Sequence, residues 1–185
     1  MKKNVIFIIS LFIFSLSCGA GQTENEQIDA GWKEELREKM PLLGHRNWIV
    51  VTDMAYPLQS KEGITALFAG EPYQEVLSFV STLIDESPHT FAHSYLDKEL
   101  SFLSDDIAPG IDSLKKEIAE ILQNGVTFME HEELIRKLDE MSRLYQIVIV
   151  KTPLTIPYTS VFFELDCKYW GREQQKKLEL QMDIQ

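Results

Sequence analysis

Residues 43–57 read LGHRNWIVVTDMAYP, and the reading of this stretch decides the fold. Asn47 to Thr52, NWIVVT, is a tryptophan and β-branched run of the length expected for a strand buried on both faces. Gly44-His45 then sits just before the strand and Asp53 at its carboxyl end. Open α/β sheets gather ligand-binding groups outside the carboxyl ends of their strands, which is where Asp53 falls. His45 reaches that crevice only if the preceding loop folds back or a neighbouring subunit supplies it.

The flanking segments alternate between helix and strand. Upstream, Ala30 to Leu43 has helical spacing of Trp32, Leu36 and Met40 and ends at Pro41 and Gly44. Downstream, Ile64 to Ala69 is a short strand or a loop. Glu71-Pro72 opens a helix with Val76, Phe79, Val80 and Leu83 on one stripe. Thr90 to Leu96 alternates as a strand, and Ile111 to Leu122 makes a helix closed by Asn124-Gly125. Val126 to Met129 is a short strand and Glu132 to Tyr145 a charged amphipathic helix. Ile147 to Val150 and Ser160 to Leu165 are the last strands. This order predicts an α/β fold, a three-layer α/β/α sandwich with a mostly parallel sheet.

The 185 residues, 44% hydrophobic and 25% charged, suit one domain over residues 30–170, followed by a polar C-terminal tail or helix over residues 171–185. The start differs in kind. Met1-Lys2-Lys3 is basic, Val5 to Leu16 is an apolar run too short to span a bilayer comfortably, and Ser17-Cys18-Gly19 follows. Residues 1–17 read as a signal peptide and residues 18–29 as a polar tether. Cys18 resembles the lipidated cysteine of a bacterial lipoprotein, the alternative being an ordinary signal peptide cleaved nearby. The expected location is that of an exported, membrane-anchored lipoprotein, periplasmic or on the cell surface, held by its lipid alone. Cys167 then has no intrachain partner, so the core rather than a disulfide holds the domain.

The formal net charge is -11, and losing Lys2 and Lys3 with the signal makes it -13. Such a surface repels phosphate backbones and anionic headgroups, which argues against nucleic acid as a partner. There is no Gly-rich phosphate loop, GxSxG elbow, HExxH or pair of closely spaced cysteines. Four histidines remain: His45, His89, His93 and His131. On a strand His89 and His93 stand about 13 Å apart, too far to share an ion, and no metal is expected. Asp53 is a turn-former, an N-cap or a binding carboxylate. His131 is a helix-capping or surface histidine, or part of a site.

The segment from Gly44 to Pro57 resembles the signature of the ribose pyranase and fucose mutarotase family (RbsD/FucU). There a Gly-His pair is followed, eight residues after the histidine, by an aspartate opening a D-A-x-aromatic-P turn. Here the spacing from His45 to Asp53 is kept, and Asp53-Met54-Ala55-Tyr56-Pro57 follows the turn with Met54 in place of alanine. Tyr158-Thr159-Ser160 is similar to the family's Tyr-Ala-Asn triplet with serine for asparagine, and Glu130-His131-Glu132-Glu133 to a pyranase Thr-His-Glu-Gln segment.

The resemblance implies an RbsD-like domain that interconverts cyclic forms of a neutral monosaccharide, such as ribose or fucose, without a cofactor. It implies His45 as the acid-base residue, and Asp53, His131, Tyr158 and Ser160 as sugar-binding residues. It also implies a homo-oligomer, because family sites lie close to subunit contacts. The alternative on the same fold is a sugar-binding lipoprotein without catalysis, which Met54, Ser160 and the chain's continuation beyond Cys167 favour.

Overall fold

The computed structural model describes residues 23–123 and 125–182, with side chains from Gly31 onward. The stretch read as a signal peptide, Cys18 and Asn124 lie outside them. At the centre is β1 (Trp48–Thr52), every residue of which is buried. It pairs in parallel with β5 (Ile147–Lys151) and antiparallel with β6 (Val161–Cys167). Beyond β5 lies the edge strand β2 (Ile64–Phe68), again parallel. Beyond β6 lie β3 (Thr90–Asp97), antiparallel to it, and the edge strand β4 (Val126–Met129), parallel to β3. The order is β2-β5-β1-β6-β3-β4.

The sheet is mostly parallel, as the alternation predicts, and β6 is the exception. Its direction follows from its connection. A parallel return needs a crossover of about a dozen residues or more, usually a helix. Only residues 152–160 join β5 to β6, so the chain comes back along the sheet in the opposite sense.

One face is covered by α1 (Thr23–Lys39), α2 (Tyr73–Glu86) and α3 (Ile111–Ile121). Trp32, Leu36, Val76, Val80 and Ile118 pack there with Ile49, Val51, Val148, Val150 and Phe163. The other face carries α4 (His131–Met141), whose Leu134 and Leu138 join Trp48, Val50, Ile149 and Phe162. Lys137 pins this helix down: its Nζ lies 4.8 Å from the ring centroids of both Trp48 and Tyr95. It also donates to Glu164 Oε2 at 3.0 Å, which accepts the Tyr95 hydroxyl at 2.8 Å. The polar end forms α5 (Arg172–Met182), which buries no residue.

Two boundaries differ from the sequence reading, and one open alternative is decided. α1 begins at Thr23 and takes in most of the stretch read as a tether. Glu24 and Glu26 put acidic residues in the first turn of this helix, where they suit its dipole. The segment from Ile64 is a strand, supported on one side only, by β5. The charged helix stops at Met141, four residues before Tyr145.

Gly63 accompanies that last stop. A Cβ there would overlap the Ser142 carbonyl oxygen and stand 2.8 Å from that of Tyr145. The turn after α4 therefore rests directly on glycine backbone, and Gly63 accepts the Ile147 N–H at 2.8 Å where β5 begins. Gly63→Ala is expected to cost about 2–3 kcal/mol by overpacking, read by urea unfolding. Gly31→Ala, in helix α1 with nothing within 4 Å of a new Cβ, is expected to add about 0.5–1 kcal/mol. Equal stabilities for the two variants would refute the packing argument.

Candidate functional site

Strand direction decides which side chains meet. β1, β2, β3, β4 and β5 all end at one rim of the sheet, and β6 begins there. Asp53, Asp97, His131 and Tyr158 therefore reach the same rim from four different strands. His45 precedes β1 and belongs to the opposite rim, with the five-residue strand, about 16 Å at 3.3 Å per residue, between it and Asp53.

His131 opens α4. Its backbone N–H is donated to both carboxylate oxygens of Glu99, at 3.1 and 3.3 Å, from the 3-10 turn Lys98–Phe102. An acidic group at a helix start satisfies unpaired N–H groups and the positive end of the helix dipole. The His131 ring then reaches β3, where its Nδ1 lies 3.0 Å from Asp97 Oδ1. Asp97 is wholly buried, and its Oδ2 has no partner among the described residues.

Burial is the larger influence on Asp97 and pushes its carboxyl above the ordinary range, against the pull of His131. The hydrogen bond to Asp97 raises the His131 imidazole in turn; burial opposes this, and Glu99 and Glu132 add to it. The two groups are thus coupled through that hydrogen bond.

Two tyrosines flank the imidazole edge-on. Tyr158 is 5.5 Å away centroid to centroid at 88°, and Tyr56 6.5 Å away at 83°. Tyr158 takes φ 59°, a left-handed conformation that costs a non-glycine residue energy and clusters at functional sites. The loop around it is fixed: buried Tyr73 donates its hydroxyl to the Thr159 carbonyl at 2.5 Å, and Thr159 Oγ1 donates to the Ile156 carbonyl at 2.9 Å. Burial, with the charges of Asp97 and Asp53, pushes the Tyr56 hydroxyl far up, so it stays a neutral donor.

Asp53 lies at this rim and forms a turn there: its Oδ1 accepts the Ala55 N–H at 2.8 Å. Ser160 lies beneath the rim, fully buried, with Oγ unpartnered among the described residues.

At the opposite rim His45 Nδ1 is 2.6 Å from Asp166 Oδ1, and His93 Nε2 is 3.2 Å from Asp166 Oδ2. Arg46, at φ 73°, donates through Nε to His45 Nε2 at 3.2 Å. Its backbone N–H is bonded to the Leu165 carbonyl at 2.9 Å. The turn is tied to the end of β6 and does not fold back toward Asp53, so within one chain His45 and Asp53 stay apart. His89 is occupied elsewhere, between Ser87 Oγ and the Leu43 carbonyl. Among the described residues, no three His, Cys, Asp or Glu side chains are disposed to hold a metal ion.

Sequence reasoning missed Asp97, although a carboxylate at a strand's carboxyl end was the signal that singled out Asp53. It also missed Asp166, which only the antiparallel register of β6 brings to His45. Two clefts lie elsewhere. One of about 370 Å³ lies by Ser78, Asp85 and Glu120. Another of about 710 Å³ lies by Phe91, His93 and Arg172. Neither is lined by an unpartnered buried polar group, so the chemistry points to the His131 rim.

Burial acts upward on the Asp166 carboxyl, but the Cys167 N–H and the two histidines outweigh it and hold it below its ordinary value. Its contribution to stability is present above about pH 4 and lost as pH falls through the depressed value. Asp166→Asn is therefore expected to give a shallower acid limb when urea unfolding is followed from pH 7 down to pH 2. A limb identical to the wild type would refute this.

No family model matches the chain, and no curated protein matches it in sequence. Solved structures match in fold. Bacillus subtilis RbsD complexed with D-ribose is 17% identical, with a TM-score of 0.51, and the match covers 71% of this chain and 91% of that one. FucU from Bifidobacterium longum is 16% identical, with a TM-score of 0.50, covering 71% and 92%. The chain has the fold of RbsD and FucU.

Proposed function

We propose that the protein is an exported, cofactor-independent pyranase or mutarotase that interconverts cyclic forms of a neutral monosaccharide. The observation that carries this reading is the convergence of Asp53, His131 and Tyr158, a carboxylate, an imidazole and a phenol, at one sheet rim, with the last two rings 5.5 Å apart. Hydroxylated rings are recognised by such a mixture of acceptors, donors and aromatic edges. The fold it shares with a ribose-bound protein supports the same class of ligand. Cys18 would carry the lipid anchor.

Ring opening needs one proton delivered to the ring oxygen and one removed from the anomeric hydroxyl. Asp53, His131 and Tyr158 hold the sugar, with Ser160 buried beneath them. His45 is the proposed acid-base group, an imidazole suited to proton transfer near neutrality. Since it lies at the far rim of its own chain, it acts in the pocket of a second copy within a homo-oligomer. Spontaneous mutarotation is already feasible, so positioned proton transfer worth about 10²- to 10⁴-fold suffices.

A sugar-binding protein without turnover is the second reading, and the complete burial of Ser160 favours it, since the triplet then offers Tyr158 alone to a ligand. Saturation-transfer NMR on ribose, fucose and galactose separates the two. The enzyme reading expects faster anomeric exchange for at least one sugar, lost in His45→Ala. Calorimetric binding with no acceleration for any of them selects the binding protein.

Complementation tests the second copy. Preparations of His45→Ala and Asp53→Asn, each inactive, are expected to recover up to about a quarter of wild-type exchange when unfolded and refolded together, from sites joining two intact halves. No recovery would contradict a site shared between copies.

A further inference from the structure

The registers place three buried polar groups in one row. Val51 and Leu96 both pair with Val161, so the next residues, Thr52 and Asp97, flank Ser160 on either side. All three lie on the α4 face, two residues along from Val50, Tyr95 and Phe162. Thr52 Oγ1, Ser160 Oγ and Asp97 Oδ2 are each buried without a hydrogen-bond partner among the described residues. Native proteins leave few such atoms, and those they keep call for a functional reason. Asp97 is the extreme case, a carboxylate with 0% exposure whose one observed side-chain partner is the His131 imidazole.

We infer that Asp97 is a positioning residue that fixes His131 as the general acid of the pocket, a role that rests on the sugar ring-opening read above. Asp97 Oδ1 accepts from Nδ1–H, which sets the ring's orientation and leaves Nε2 for the ligand, the division of labour seen wherever a carboxylate holds a working histidine. Tyr56 and Tyr158 stand edge-on to the same ring.

In the step, the anomeric O–H gives its proton to the base, His45 in the reading above. The O–H electron pair closes the carbonyl as the bond from the anomeric carbon to the ring oxygen breaks. The ring oxygen keeps that bonding pair and takes the proton from His131 Nε2. Reclosure on either face runs the same transfers backwards, so no net proton or electron is consumed.

The charged and titratable groups facing His131 are Asp97 on β3, Glu99 on the 3-10 turn, Glu132 on α4, and Tyr56 and Tyr158 from the flanking loops, with Asp53 acting on Tyr56 and Asp97 behind them. The carboxylates favour the imidazolium. As general acid, His131 works while protonated, so activity falls as pH rises through its raised pKa.

Asp97→Asn keeps an acceptor for Nδ1–H and removes the charge. The test follows anomeric exchange of D-ribose, fucose and galactose, and the ring-nitrogen NMR titration of His131, in wild type, Asp97→Asn, His131→Gln and the double variant. Asp97→Asn is expected to lower the His131 midpoint by about one pH unit or more. It is expected to move the alkaline limb of kcat down with it, and to cut kcat at pH 7 by about 10²-fold with KM changed less than about threefold. The double variant is expected to be no slower than His131→Gln. Wild-type acceleration that Asp97→Asn retains, or a loss confined to KM with the midpoint unmoved, overturns the inference alone. No acceleration of any sugar by the wild type overturns the functional reading and the inference with it.

Discussion

The structure depends on the way β1 is held between neighbours of opposite sense. Parallel pairing with β5 sets the direction of one half of the sheet, and antiparallel pairing with β6 links it to the other half. Because β6 is antiparallel to both β1 and β3, those two strands run the same way without touching. That brings Asp53 and Asp97 to the same rim, with the amino end of β6 between them. One or two further connecting residues would not change this; a crossover helix before β6 would reverse it and carry Tyr158 to the far rim.

The rim owes its electrostatics to the apolar packing beneath it. Val50, Phe162 and Tyr56, all buried, surround the row that holds Asp97, so its carboxylate loses most of its hydration. A buried polar group without a partner costs on the order of 1–3 kcal/mol. Here one oxygen is matched by His131 and the other is not, which ties the proton on His131 to the charge of Asp97. The far rim has the same residue types in a different setting. Asp166 shares its two oxygens between His45 and His93, and both histidine side chains are more than half exposed. Exposure lets water satisfy what the protein does not, so that cluster stores less electrostatic tension than the buried pair.

The buried run of β1, the helix stripes of Trp32, Leu36 and Met40, and the alternation of strands and helices were legible in the sequence because each rests on local periodicity. Asp53 was legible as a strand-end carboxylate. The end of α4 was not, because it coincides with Gly63, seventy-eight residues before Ser142's neighbour Met141, making room for two carbonyls. Asp97 and Asp166 were hidden for the same reason: their partners, His131 and His45, are far away in sequence and arrive through β-sheet register. The resemblance in the His45 to Asp53 spacing named two residues of one motif, yet the strand between them holds them at opposite ends of the sheet. Spacing along a strand records separation rather than contact.

Backbone amide shift mapping during a titration with D-ribose, L-fucose and D-galactose tests most directly whether the His131 rim is the sugar pocket. Shifts gathered at Asp53 to Tyr56, Asp97 to Glu99, His131 and Tyr158 to Ser160 are the predicted result. Shifts confined to the cleft of Ser78, Asp85 and Glu120, or no saturable shift with any sugar, would contradict it.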